Sequence, residues 1–97
     1  MQYLKINVFV SMLSLSSVEE ELKAINIAGI TVSKVKGYGQ HMNFYTPDWQ
    51  ETHARIEIFC EAKDKQDILS AIKQGVGNPA SNNGFVAIVP VAEVFSL

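Results

Sequence analysis

The feature that most constrains the fold is a pair of alternating runs, each followed by a stretch of helical spacing. In residues 3–10, Leu4, Ile6, Val8 and Val10 take every second position with Lys5 and Asn7 between them, the period of a strand that buries one face. In residues 55–61, "RIEIFCE", Ile56, Ile58 and Cys60 repeat the pattern while Arg55, Glu57, Phe59 and Glu61 fall on the other face. After the first run, Ser17 stands three residues before Glu20 in a capping-box arrangement, and Val18, Leu22 and Ile25 share one helical face. With Gly29 placed for a left-handed stop, this predicts a helix over 17–27. After the second run, Asp64 is positioned to cap a helix over 65–74 that buries Ile68, Leu69 and Ile72 and ends at Gly75 and Gly77.

Residues 30–38 are rich in β-branched side chains and close on Gly37 and Gly39, which predicts a second strand before a polar and aromatic connection broken by Pro47. Near the other end, "GNPASNNG" concentrates turn-forming residues, and "FVAIVPVAEVFSL" is β-rich to its last residue, with Pro90 marking an edge, bulge or bend. The order is β-α-β-β-α-β. It predicts an α+β, ferredoxin-like sandwich: an antiparallel sheet with two helices on one face, in one domain over residues 1–97. Because helices cover only one face, the other is wet or meets another subunit. A 47% hydrophobic content favours such a further buried face.

Composition narrows the function classes. The eight Lys and Arg are scattered singly and the net charge is −2, so the clustered cations that bind nucleic acid through counterion release are lacking. The stretch "MQYLKINVFVSML" has neither an apolar signal-peptide core nor a cleavage site, and no run approaches the length of a membrane span, so the expectation is a cytoplasmic protein without membrane insertion. The single cysteine, Cys60, rules out a disulfide within the chain, and its apolar-parity position reads as an inert buried thiol. No nucleophile-elbow, phosphate-loop or zinc-hydrolase motif is present, which argues for a non-enzymatic role.

Three features carry binding potential. Gly37, Tyr38 and Gly39 either simply end a strand or allow a ligand to lie against the backbone. Phe44, Tyr45 and Trp49 in one connection either fold onto the body or meet a partner. His41 and His53 flank that connection; they are either exposed loop histidines or, with Asp48 or Glu51, a metal site without diagnostic spacing.

"ITVSKVKGYGQ" resembles the second strand of the PII signal-transduction proteins, which read Thr-Val-x-x-Val-Lys-Gly-aromatic-Gly. "RIEIFC" resembles their third strand, and "NNGFVAIVPVAEVFSL" their Gly-containing B-loop and final Val-Ala-x-Val strand. The resemblance spans nearly the whole chain. It implies a compact homotrimer with effector clefts between subunits and a T-loop, here residues 40–53, that contacts a membrane transporter or a metabolic enzyme. It places an adenylate beside Gly37, Tyr38, Gly39, Gln40, His41, Gly84 and Phe85, and the partner contact at Phe44, Tyr45 and Trp49.

The departures are as specific as the matches. The T-loop is short, so Tyr45 is not given the role of the family's modified tyrosine, and Gln40 and His41 stand where an arginine and a glutamine usually follow the second glycine. Phe85 follows Gly84 where a phosphate-binding lysine is usual, and Ser96 replaces one C-terminal arginine. Holding a triphosphate without these cations is electrostatically costly, so the expected effector is AMP, ADP, a cyclic nucleotide or bicarbonate rather than ATP. Two other readings remain: a trimeric metal-binding protein of the CutA type using His41 and His53, and an interaction module that binds no ligand.

Overall fold

The structure is a computed structural model that describes residues 2–27, 29–36, 52–77 and 84–97. Its elements run β1 (Tyr3–Ser11), α1 (Leu15–Ala24), β2 (Thr31–Lys36), β3 (Thr52–Glu61), α2 (Lys65–Val76) and β4 (Phe85–Val91). The four strands form one antiparallel-paired sheet in the order β2-β3-β1-β4, the ferredoxin-like α+β arrangement expected from the sequence.

Register fixes which side chains share a face. β1 pairs with β3 as Leu4↔Cys60, Ile6↔Ile58 and Val8↔Ile56, so the even-numbered residues of both central strands point the same way. Both helices lie on that face. Val18 and Leu22 of α1 and Ile68, Ala71 and Ile72 of α2 close over Ile6, Val8, Val10, Ala54, Ile56 and Ile58, all buried in one cluster. Each fully buried aliphatic side chain there contributes about 1.5–3 kcal/mol. Cys60 is half-buried at the margin of the cluster instead of inside it.

Helix boundaries depart from the sequence reading for local reasons. α1 begins at Leu15, preceded by a 3₁₀ turn over Met12–Ser14, which leaves Ser17 inside the helix rather than at its cap. The cap at this end serves the 3₁₀ turn: Leu13 N–H donates to Ser11 Oγ at 3.2 Å. α1 then ends at Ala24, before Gly29 is reached. Asn26 takes φ +64°, Ile27 N–H donates to the Leu22 carbonyl at 3.2 Å, and Asn26 N–H donates to the Lys23 carbonyl at 3.0 Å. These bonds are the Schellman pattern, and asparagine tolerates the left-handed conformation better than most side chains.

In the second half, a 3₁₀ turn over Ala62–Asp64 again leads into the helix. Gly75 lies inside α2 instead of ending it, and a β-carbon there would sit 2.6 Å from Val18 Cα. The glycine lets the two helices meet backbone to backbone. α2 ends at Gly77, whose φ of +74° is one that L side chains rarely adopt. Leu69 is only half-buried, and Ala71 takes the core place instead. β4 stops at Val91, so the β-rich reading to residue 97 overruns the strand by six residues. Pro90, opposite Leu4, is accommodated because β4 is an edge strand.

Candidate functional site

The β2 exit, the β3 start and the β4 start lie at one end of the sheet. β2 finishes where β3 begins, with Val35 opposite His53 and Lys36 opposite Thr52. β1 finishes beside them, with Ser11 opposite His53, and β4 starts beside β1, with Phe85 opposite Phe9. The last described residue before the Gly37 to Gly39 run and the pair Gly84 and Phe85 therefore share an end. They do not share an edge: β2 and β4 are the two outermost strands, separated by β3 and β1. Three inter-strand spacings put them roughly 14 Å apart within one chain.

Of the residues singled out in the sequence, Gly84, Phe85 and His53 are described. Gly37, Tyr38, Gly39, Gln40, His41, Phe44, Tyr45 and Trp49 lie outside the described residues. Phe85 stacks on Phe9 with ring centroids 4.6 Å apart and planes 17° from parallel, an arrangement worth about 0.5–1.5 kcal/mol beyond area burial. Gly84 and Phe85 also border an apolar cavity of about 150 Å³, walled on the other side by Ile72 and Val76 of α2 and touched, among the described residues, by the cation Lys73. His53 is half-buried on the helix-free face, and no group of three or more His, Cys, Asp or Glu that could hold a metal exists among the described residues.

The helix-free face carries a charge cluster at its centre. Glu57 accepts two cations, with Lys5 Nζ 3.0 Å from its Oε2 and Arg55 Nε 3.2 Å from its Oε1. Lys5 also lies 5.8 Å from the centroid of the Phe59 ring, within reach of a cation–π attraction. Arg55 Nε is shielded from water and makes no hydrogen bond among the described residues, so Glu57 serves it as a counter-charge. Phe59 itself is 58% exposed. On the helix-covered side, burial first and the Asp64 carboxylate second push the Cys60 thiol above its ordinary pKa. A protonated thiol is a poor nucleophile, consistent with the inert role read from the sequence.

Sequence comparison decides the family. The profile described as Nitrogen regulatory protein P-II matches residues 3–97. The chain belongs to the PII family of regulatory signal-transduction proteins. A solved structure of the Arabidopsis thaliana PII protein bound to citrate superimposes with a TM-score of 0.78 and 21% sequence identity, covering 98% of this chain and 80% of that one. At that identity it supports the fold: the PII sheet and helix pair arise here from a largely different set of side chains. Among the described residues, no helix is long and apolar enough to cross a membrane.

Phe9 is the site-adjacent residue that sequence reasoning missed. The odd-position pattern of β1 places it on the helix-free face, but its pairing with Phe85 needs the β1–β4 register, which spans most of the chain. Hydrophobic periodicity reports faces and not partners.

Proposed function

We propose that this PII protein is a non-enzymatic regulator that senses a small effector in clefts between the subunits of a homotrimer. It passes the bound state through residues 40–53 to a transporter or a metabolic enzyme. The observation that carries this is that Lys36, which precedes the candidate stretch 37–41 in the sequence, and Phe85 stand at opposite edges of one sheet. Lys36 ends β2 at one edge, while Gly84 and Phe85 lie at the β4 edge. Apposing the β2 edge of one copy to the β4 edge of the next brings the two groups to one cleft without crossing the sheet.

AMP or ADP is favoured over ATP by charge. Phe85 offers a stacking surface but no cation beside Gly84, and Ser96 offers none near the end of the chain. Each missing charge-assisted phosphate contact removes one of the stronger hydrogen bonds available to a protein. Bicarbonate and cyclic nucleotides fit the same limited cation supply. The citrate bound to the Arabidopsis relative supports a small effector in this fold. In the 40–53 stretch, Phe44, Tyr45 and Trp49 are the proposed partner contacts, and the effector acts by favouring one arrangement of that stretch over another.

A thermal-shift panel of AMP, ADP, ATP, cyclic AMP and bicarbonate, with and without Mg²⁺, tests the proposal. An effector at one hundred times its Kd adds about 2.7 kcal/mol to stability, a shift of roughly 10–20 °C in a domain of this size. AMP or ADP is expected to shift the transition more than ATP. A panel without any shift overturns the sensing role, and a strong shift with zinc or copper that is lost in His41→Ala replaces it with the metal-binding reading.

A further inference from the structure

The apolar cavity between α2 and the sheet has no role in the reading above. Val8 and Val10 of β1, Ile72 and Val76 of α2 and Val86 of β4 line its space of about 150 Å³. Val8 and Ile72 are buried, Val76 and Val86 are half-buried, and Lys73 at the rim is exposed, so a dry floor leads to an open mouth. Voids larger than a water molecule are few in a close-packed interior. Water is poorly held in this one, because it needs roughly two to four polar partners and the lining side chains, Lys73 apart, are aliphatic or aromatic among the described residues. An apolar cavity of this volume takes a molecule the size of benzene.

Charge selects what that molecule carries. Lys73 makes no ion pair among the described residues, whereas Lys5 and Lys63 hold Glu57 and Glu61. It lies in the last turn of α2, where the helix carbonyls put partial negative charge beside the mouth. A carboxylate there therefore depends on Lys73, and a second cation is repelled by it. We propose that the cavity binds a small monocarboxylate whose apolar body, the size of a benzene ring, fills the floor while Lys73 pairs with its carboxylate. All of the lining residues belong to one chain, so binding needs no neighbouring subunit.

Methyl NMR titration of the full chain with benzoate tests this, with benzyl alcohol as the uncharged counterpart. Benzoate is expected to give saturable shifts at the Val8, Val76 and Val86 methyls and to bind about threefold to fivefold tighter than benzyl alcohol, the strength of an exposed ion pair. Lys73→Gln should remove that difference, while Lys23→Gln, at the matching exposed lysine in the last turn of α1, should keep it. Val76→Phe, which fills the cavity, should abolish binding of both compounds; Lys73→Gln, at an exposed position, decides the case if Val76→Phe loses its folded spectrum. Benzoate without saturable shifts at these methyls, a folded Val76→Phe that binds like the parent, or a preference for benzoate that survives Lys73→Gln overturns the proposal. Methyl shifts that follow protein concentration in the absence of benzoate place a second copy in the cavity and overturn it as well.

Discussion

Ile56 and Glu57 are neighbours on β3, yet they belong to surfaces with different physics. Ile56 faces the helices, fully buried in a cluster of mostly aliphatic side chains. Glu57 faces away from them, holding Lys5 and Arg55 beside the exposed ring of Phe59. The helix-covered face is complete within the chain. The helix-free face has charges of both signs, aromatic rings and partial exposure, the composition of a surface that is satisfied in water and equally able to meet another copy. One face therefore holds the fold, and the other keeps its charges and rings partly exposed.

Substitutions on the two faces should separate these roles. The largest effect is expected from Ile56→Ala, which empties part of the dry core and should lower stability by about 2–5 kcal/mol in urea unfolding. Next comes Gly75→Ala, which forces α2 away from the Val18 backbone and should cost about 1–3 kcal/mol. Gly29→Ala, with nothing within 4 Å, should stay within about 0.5 kcal/mol of the parent. On the helix-free face, Glu57→Gln should cost only about 1 kcal/mol, and that difference should shrink as salt is raised. An Ile56→Ala cost no larger than that of Glu57→Gln would erase the contrast between the faces.

Cys60 gives the smallest and most selective test. Its folded thiol holds a proton more tightly than the unfolded thiol, so it adds stability that is complete below the ordinary thiol range. That stability is lost as pH rises through the elevated folded value. Urea midpoints followed to alkaline pH should therefore fall less steeply in Cys60→Ala than in the parent.

Much of this was legible in the sequence because the central strands speak loudly. Alternation at Leu4, Ile6, Val8 and Val10, and again at Ile56 and Ile58, is the pattern of a sheet with one dry face, and register then follows from burial. Local backbone chemistry and helix contact are not encoded in such patterns. Ser17 has the spacing of a cap, but a 3₁₀ turn moved the helix start to Leu15. Gly29 looks like a stop, but Asn26 reaches the left-handed conformation first, and Gly75 is kept small by Val18, a neighbour 57 positions away. Of the candidate residues, Gly84 and Phe85 stand at the sheet end where β2 exits, a placement that needs the strand order, and the Phe9 partner of Phe85 depends on a pairing no local pattern encodes.

The most direct test is native mass spectrometry of the full chain with AMP and with ADP, because one spectrum counts both subunits and bound effectors. The account predicts a species of three 10.7 kDa chains carrying up to three nucleotides, with none on single chains. A monomer as the main species, or nucleotide bound one-to-one on a monomer, would contradict it.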